Sequence, residues 1–248
     1  MRAGVAPGRD LAETASDCMG GMMSLQGAVI AFDLDGTLVD TAGDLVGAVN
    51  TVLTRQGLRP APPDVGRRMI GNGVRALVLR AFAHAGETLE DGLADAMVAD
   101  FIEVYRGRIA EESVPYPGVP ETLDQLLAQG ARLAVCTNKR TDLSIALLDA
   151  LELTSRFAAV VGSDLVAHKP DPRLLHYAIE HAGGSAGRAL FVGDSMVDQA
   201  TARAAGVPVI GLTFGYSAEP LKSADFDMLL DQFSGVPAAA EALIGAAA

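Results

Sequence analysis

Residues 28–37 read AVIAFDLDGT and combine a short apolar run with two carboxylates. The run 28–32 has no alternating polar residues, which predicts a strand buried on both faces of a parallel sheet. Asp33 and Asp35 follow at once, two positions apart, so they project to the same side of an extended chain. Gly36 permits a turn whose backbone N–H groups can point at an anion. This stretch predicts a buried strand that ends in a charged site.

Four further apolar runs of strand length follow along the chain, and helix-like stretches separate them. The runs lie at 133–136, 158–161, 189–192 and 207–212. The helical stretches lie at 118–129, 141–150, 171–182 and 195–205. Alternation of strand and helix predicts an α/β fold with a doubly wound parallel sheet.

The interval between the first and second strand runs is far longer than one βαβ unit and breaks this rhythm. Its middle part, residues 42–115, shows amphipathic helical patterns and no convincing strand. We therefore predict a smaller, all-helical cap domain over 42–115, inserted after the first strand into a core formed by 25–41 and 116–248. Residues 1–24 lack the apolar stretch of a signal peptide, and we expect a disordered tail there.

Charge and composition exclude several classes of protein. The chain has 248 residues, with 19 Lys and Arg against 31 Asp and Glu, for a formal net charge of −12. Such an acidic chain repels phosphates, so we expect no nucleic-acid partner. No apolar run reaches the ~18 residues of a membrane helix, so we expect no membrane partner either. Cys18 and Cys136 cannot build a disulfide framework, which favours the cytoplasm. A monomer and a homodimer both stay open.

Polar residues follow the other strand runs as well, and parallel strands bring their carboxyl ends to one edge of the sheet. Thr137 and Asn138 follow the second run, while Asp194 follows the fourth, with Asp198 four residues further on. By itself, Asp194 is also typical of a helix cap. Asp194 and the two carboxylates of the DLDGT stretch would form an acidic group, in which the negative charges repel one another unless a cation binds. Oxygen ligands alone favour Mg²⁺.

Lysine is rare in this chain, and its placement is informative. The only lysines are Lys139, Lys169 and Lys222, and the first two lie in loops at the same predicted sheet edge. A compact ammonium suits a site beside carboxylates and phosphate, where a wide guanidinium would not fit. Because the number is small, chance placement stays an alternative.

Four stretches of the chain, in this order, resemble the motifs of one enzyme superfamily. DLDGTLVDT at 33–41, CTNK at 136–139, Lys169 in HKPDP and GDSMVD at 193–198 are similar to the motifs of the haloacid dehalogenase (HAD) superfamily. The resemblance covers residues 27 to about 235 and implies an HAD-like core with a small inserted cap. Dehalogenases of the superfamily lack an acid at the position of Asp35, because halide leaves without a proton. Asp35 therefore implies an oxygen leaving group.

The resemblance implies how the acidic residues would act. Asp33 would attack phosphorus and form an aspartyl-phosphate, as carboxylate nucleophiles can. Asp35 would protonate the leaving oxygen and then take a proton from the hydrolytic water. Mg²⁺ would be held by Asp33, the backbone carbonyl of Asp35 and Asp194, and would neutralise charge between the two anions.

The remaining motif residues would bind the phosphoryl group on this reading. Thr137, the backbone amides next to it, including that of Asn138, and Lys169 would contact the phosphoryl oxygens. Asp198 would stand behind them and orient Lys169 or a metal-bound water. The resemblance gives these residues supporting roles around the nucleophile.

Residues 71–81 and 193–217 are similar to the phosphoglycolate phosphatases within the superfamily. This similarity implies a phosphomonoesterase for a small phosphorylated metabolite, with 2-phosphoglycolate as the first expectation. Other sugar-phosphate or nucleotide phosphatases, a pyrophosphatase and a β-phosphoglucomutase-like enzyme share much of the pattern and stay open. A phospho-accepting signalling domain, from a different class, is disfavoured because such domains are about half this length and have no helical insertion.

The sequence Gly71, Asn72, Gly73 formally begins a dinucleotide fingerprint, but the strand that must precede such a fingerprint is missing. We instead expect a cap loop whose backbone approaches the substrate. Arg68 or Arg75 would then be available to bind a carboxylate. A solvated helix face is an equally good interpretation of the two arginines.

Overall fold

Eight strands are present in the computed structural model, which describes residues 25–217 and 219–245. In chain order they are β1 (Val29–Phe32), β2 (Val39–Asp40), β3 (Val114–Pro115), β4 (Arg132–Thr137), β5 (Ala159–Gly162), β6 (Ala189–Gly193), β7 (Val209–Leu212) and β8 (Met228–Leu230). Six of them form one parallel sheet in the order β5-β4-β1-β6-β7-β8. The tail predicted for 1–24 lies outside the described residues.

Nine α-helices accompany the strands in the described part of the chain. They are α1 (Ala42–Arg55), α2 (Pro63–Arg67), α3 (Gly73–His84), α4 (Asp91–Arg106), α5 (Val119–Ala128), α6 (Thr141–Ala150), α7 (Pro172–His181), α8 (Met196–Ala205) and α9 (Val236–Gly245). Among the described helices, none combines the length and the apolar composition that crossing a membrane requires.

The central strand β1 shows why helices cover both faces of the sheet. Ile30 and Phe32 point into one hydrophobic cluster, which α5 and α9 close. Val29 and Ala31 point into the opposite cluster, which α7 and α8 close. Strands buried on both faces need apolar side chains at every position, which is the pattern that the sequence shows. The predicted doubly wound α/β fold is confirmed.

Helices α1 to α4 lie between β2 and β3 and share a hydrophobic cluster around Val49, Val78 and Phe101, which Leu143 and Tyr216 join from the core. The prediction that 42–115 contains no strand is wrong at its end. There Val114–Pro115 pairs antiparallel with Val39–Asp40. Two residues are too few to show an alternating pattern, so the sequence could not reveal them. This two-stranded ribbon joins the ends of the insertion, for which a separate cap domain stays a prediction.

Candidate active site

Three carboxylates meet beyond the carboxyl ends of β1 and β6. Asp33 follows β1, and its backbone N–H donates to the carbonyl of Val192 at 2.9 Å. Asp194 follows β6, and Asp198 lies in the first turn of α8. One oxygen from each of these three carboxylates lies within 4.8 Å of the other two. The parallel topology thus brings together residues that the sequence separates by more than 150 positions.

The carboxylate of Asp194 is held from two sides. Thr37 donates its hydroxyl to Oδ1 at 2.8 Å, and the backbone N–H of Tyr216 donates to Oδ2 at 2.7 Å. Gly36 has φ +89°, and a Cβ there would lie 2.6 Å from Oδ2 of Asp194. Only glycine fits this position, because both the backbone conformation and the close approach exclude a side chain. The turn of the DLDGT stretch therefore packs against Asp194 and donates a hydrogen bond to it.

Lys169 lies between two of the carboxylates. Its Nζ is 2.8 Å from Oδ1 of Asp33 and 2.6 Å from Oδ1 of Asp198. The second oxygen of Asp198 accepts hydrogen bonds from the backbone N–H and the hydroxyl of Ser195, at 3.1 and 2.5 Å. Both oxygens of Asp198 are thus engaged, and this carboxylate orients Lys169. Of the two predicted partners of Asp198, Lys169 and a metal-bound water, Lys169 is the one in contact with it.

The side chain of Asn138 contacts the loop that carries Lys169. Its side-chain oxygen accepts the backbone N–H of Lys169 at 2.7 Å, and its Nδ2 donates to the backbone carbonyl of Lys169 at 3.3 Å. Both ends of the side-chain amide are therefore committed to the loop that carries Lys169, and contact of the Asn138 backbone N–H with a phosphoryl oxygen stays a prediction. Thr137, which is buried, lines the cavity beside Asp33 as expected.

Asp35 is paired with Lys139, a contact that the sequence argument missed. The Nζ of Lys139 lies 2.9 and 3.1 Å from the two oxygens of Asp35. Thr41 donates its hydroxyl to Oδ1 of Asp35 at 2.7 Å. Lys139 is buried and lies 4.6 Å from the centre of the Tyr105 ring, which belongs to α4. In the sequence, only the position of Lys139 after a predicted strand indicates that it lies near these carboxylates.

Burial raises the pKa of two of the carboxyl groups. The pKa of Asp33 is raised to about 6, because desolvation outweighs the attraction of Lys169. The pKa of Asp194 is raised to about 8 by desolvation and by the negative charges of Asp198 and Asp33. Burial alone would lower the pKa of Lys169, but Asp198 and Asp33 raise it, so the ammonium stays charged. The single positive charge of Lys169 does not neutralise the three carboxylates of Asp33, Asp194 and Asp198.

This excess of negative charge indicates that the residues of the site suit a bound metal ion. A cation beside Asp33 and Asp194 would relieve the repulsion that raises their pKa values. The sequence predicts Asp33, the backbone carbonyl of Asp35 and Asp194 as ligands, and among the acidic side chains those of Asp33, Asp194 and Asp198 cluster. Ammonium groups lie against Asp198 and against both oxygens of the Asp35 side chain, whereas the donors to Asp194 are the neutral groups of Thr37 and Tyr216. Asp194, together with the neighbouring Asp33, is therefore the side chain whose charge a metal ion would balance.

Two cavities open onto Asp33 and Asp35 and meet the helical insertion. The smaller, about 40 Å³, is lined by Thr137 and Lys139 from the core and by Gly71 and Gly73 from the insertion. The larger, about 400 Å³, reaches Asp194 and Tyr216 and is also lined by Arg68, Asn72 and Arg80. The loop 71–73 therefore faces the acidic group, and contact of its backbone with the substrate stays a prediction. Arg80 was not predicted.

Arg75 lines neither cavity, so of its two interpretations the structure favours a solvated helix face over binding of a substrate carboxylate. Its guanidinium is paired with Asp91, at 2.7 Å, and with Asp95 on the exposed surface of α4. Helix geometry explains the difference. Arg75 and Arg80 both lie on α3, but five residues apart, which places them on different faces of the helix.

The fold and this site define a class of hydrolase. The family model described as haloacid dehalogenase-like hydrolase matches residues 30–212, which include the motifs at 33–41, 136–139, 169 and 193–198. The chain belongs to this family, and the predicted membership is confirmed.

Similar proteins refine this class. A protein of Caulobacter vibrioides named "Phosphoglycolate phosphatase" is 50% identical over 91% of this chain and 96% of its own length. A protein of the same name from Agrobacterium fabrum is 45% identical over 88% of this chain and 95% of its own length. A crystal structure of a predicted phosphoglycolate phosphatase from Haemophilus somnus has a TM-score of 0.80 and 33% identity, covering 87% of this chain and 98% of that one.

Proposed function

We propose that this protein is a Mg²⁺-dependent phosphomonoesterase and that its substrate is 2-phosphoglycolate. The observation that carries the proposal is the position of Asp33, whose carboxylate lies beside Asp194 and 2.8 Å from Lys169 at the end of β1. A nucleophile, the ligands for a cation and a fixed positive charge are thus combined in one group. The names of the similar proteins from Caulobacter vibrioides and Agrobacterium fabrum support the choice of substrate.

Asp33 supplies the attacking oxygen. Its Oδ1 accepts the backbone N–H of Leu34 at 2.7 Å and lies beside Lys169, so we assign Oδ2 as the nucleophile. A bond forms between Oδ2 and phosphorus while the ester P–O bond breaks, which gives an aspartyl-phosphate. Lys169, oriented by Asp198, offers its ammonium protons to the phosphoryl oxygens. Mg²⁺, when bound by Asp33 and Asp194, supplies positive charge that lets one anion approach another.

Asp35 moves the protons on this account. Its protonated form gives a proton to the departing glycolate oxygen, and the carboxylate that results takes a proton from the water that hydrolyses the aspartyl-phosphate. Thr41 and Lys139 hold this side chain at the edge of the cavities. The second step releases inorganic phosphate and restores Asp33 and Asp35.

Two arginines on the insertion suit the other end of 2-phosphoglycolate. Arg68 and Arg80 line the larger cavity together with Asp33, and both are exposed. A guanidinium binds a carboxylate through two parallel hydrogen bonds, so either arginine can hold the glycolate carboxylate. The net charge of −12 makes such a local positive region necessary for an anionic substrate.

A phosphate-release screen tests this proposal. The purified protein, with Mg²⁺, is offered about twenty metabolites at one concentration, among them 2-phosphoglycolate, hexose phosphates, nucleotides and pyrophosphate. We expect the highest kcat/KM with 2-phosphoglycolate and loss of activity with EDTA. A higher kcat/KM with a hexose phosphate or pyrophosphate would reject the substrate, whereas activity that survives EDTA would reject the role of the metal.

A further inference from the structure

Tyr216 connects the acidic group to the base of the helical insertion. It lies four residues after β7, and its backbone N–H donates to Asp194 at 2.7 Å. At the other end of the same residue, the hydroxyl donates to Oδ1 of Asp40 at 2.8 Å and accepts the backbone N–H of Thr41 at 2.6 Å. The side chain is 7% exposed. A single buried residue therefore spans the distance from a candidate metal ligand to the start of α1.

Arg67, which lies on the insertion, contacts both Asp40 and the ring of Tyr216. It is the last residue of α2, and its Nη1 lies 3.1 and 3.0 Å from the two oxygens of Asp40. Its guanidinium carbon lies 4.7 Å from the centre of the Tyr216 ring. Its Nη2 donates to the hydroxyl of Tyr116 at 3.3 Å. A charge-assisted contact and a cation–π contact thus converge on one core tyrosine and its partner.

Thr41 continues this chain of contacts to the reacting groups. Its backbone N–H is bound by the Tyr216 hydroxyl, and its own hydroxyl donates to Oδ1 of Asp35 at 2.7 Å. A donated hydrogen bond in a buried site fixes the direction of a carboxylate. A shift of Thr41 therefore moves Asp35, and the position of Thr41 depends on Tyr216.

We propose that Arg67 and Tyr216 are positioning residues that transmit the placement of the helical insertion to the carboxylate of Asp35. With Arg67 paired to Asp40 and stacked on Tyr216, Thr41 holds Asp35 in the orientation needed for proton transfer. Movement of α2 away from the core would break the Arg67 contacts and release this orientation. The inference rests on the proposed function, because it requires Asp35 to act as the general acid.

Tyr216→Phe tests the hydroxyl without removing the ring. Loss of the hydrogen bonds to Asp40 and Thr41 should lower kcat for 2-phosphoglycolate by about tenfold, the effect expected of one or two such bonds. The same variant should lower kcat for p-nitrophenyl phosphate by less than about twofold, because its leaving group needs little protonation. A purely structural defect would slow both substrates alike. Tyr177→Phe, on α7, is the matched control and should change neither rate.

Arg67→Met tests the link to the insertion. We expect the same leaving-group dependence as in Tyr216→Phe, partial recovery in Arg67→Lys, and a double variant that is little worse than either single one. Arg203→Met is the matched control, because Arg203 also forms a two-oxygen pair with an aspartate, Asp227, at 3.1 and 2.9 Å and similar exposure. It should leave both rates unchanged.

Asp35→Asn, assayed alongside, separates the two ways to fail. If Asp35→Asn slows 2-phosphoglycolate far more than p-nitrophenyl phosphate, but Tyr216→Phe slows both equally or neither, the inference is overturned and the proposed function stands. If Asp35→Asn itself shows no leaving-group dependence, the acid assignment in the proposed function is wrong and the inference is rejected with it. Additive effects in the double variant of Arg67 and Tyr216 also overturn the link between them.

Discussion

The core edge and the insertion face the same two cavities but are built differently. At the core edge, Asp33, Lys169 and Asp194 are 9%, 5% and 3% exposed, and each has partners from a distant part of the chain. On the insertion, Arg68 and Arg80 are exposed and have local partners, the carboxylate of Asp64 and the backbone carbonyl of Met69.

The difference indicates a division of labour between the two regions. Reacting groups must be held in place before the reaction begins, because reorganisation during the reaction would raise the barrier. Groups that select a substrate can instead remain free to adjust and to exchange solvent for ligand. We therefore expect substitutions at the core edge to reduce kcat and substitutions of the insertion arginines to raise KM.

The largest expected effect is that of Asp33→Asn. The amide keeps the size of the side chain but is a poor nucleophile and a weaker metal ligand, so kcat should fall by at least about 10³-fold. Steady-state kinetics and a thermal melt check that activity is lost while the fold is kept. Asp171→Asn, which keeps a capping side chain at the start of α7, is the control and should retain full activity.

Lys169→Met should reduce both activity and stability. The substitution leaves Asp33 and Asp198 without their shared cation in a buried site, and removal of one partner of a buried pair costs about 3–5 kcal/mol. We also expect kcat to fall by about 10²-fold or more, because a donor to the phosphoryl oxygens is lost. Denaturant unfolding and kinetics measure the two effects. Lys222→Met, at an exposed position, should show neither, and a stable, active Lys169→Met would contradict the site.

The metal-free protein should become less stable as the pH rises. The pKa of Asp33 is raised to about 6 and that of Asp194 to about 8, so the folded chain holds protons that the unfolded chain has released. Stability tied to these groups is complete below about pH 4 and lost as the pH passes the raised pKa values. Thermal melts in EDTA should show this fall between pH 5 and 9, whereas Asp194→Asn should show less of it.

Added Mg²⁺ should reverse this loss. Because the metal binds the deprotonated carboxylates, the increase in Tm should be larger at pH 9 than at pH 5. For a chain of this length each kcal/mol corresponds to about 2–4 °C. An increase that does not depend on pH, or that persists in Asp194→Asn, would argue against Asp33 and Asp194 as the metal ligands.

The smallest effect is expected at the insertion. Arg68→Gln or Arg80→Gln should raise KM for 2-phosphoglycolate by about tenfold and leave kcat nearly unchanged, because substrate binding alone is weakened. Arg75→Gln is the matched control on α3 and should change neither constant, since its guanidinium pairs with Asp91 and Asp95. If kcat falls instead, these arginines act in the reaction, and the contrast between the two regions is wrong.

The sequence predicts the sheet well for a physical reason. Strands buried on both faces must be apolar at every position, so runs such as 28–32 stand out, and parallel topology then places Asp33 and Asp194 at one edge. Short or unusual elements escaped this reasoning. The two-residue ribbon of β2 and β3 has no measurable period, and α9 lies in an alanine-rich segment with helix propensity but little amphipathic pattern.

Contacts between distant side chains were harder to predict than the positions of the residues. Lys139 was placed at the correct edge, but its pairing with Asp35 depends on side-chain directions that no spacing encodes. Tyr216 lies in the stretch 193–217 that resembles the phosphoglycolate phosphatases, but its contact with Thr41, across 175 positions, is not encoded in the spacing of the motifs. The side-chain amide of Asn138 holds the loop of Lys169, a contact that the position of Asn138 after a strand does not reveal. Burial and partners, rather than residue type, decide these roles.

The central claim is that Asp33 becomes covalently phosphorylated in a site that holds a metal ion. Rapid acid quench of the enzyme with 2-phosphoglycolate and Mg²⁺, followed by borohydride reduction and peptide mass spectrometry, tests it directly. The account predicts reduction of the acyl phosphate to homoserine at position 33, dependent on Mg²⁺ and absent from Asp33→Asn. Homoserine at another aspartate, or a phosphorylated histidine or serine in place of Asp33, would contradict it.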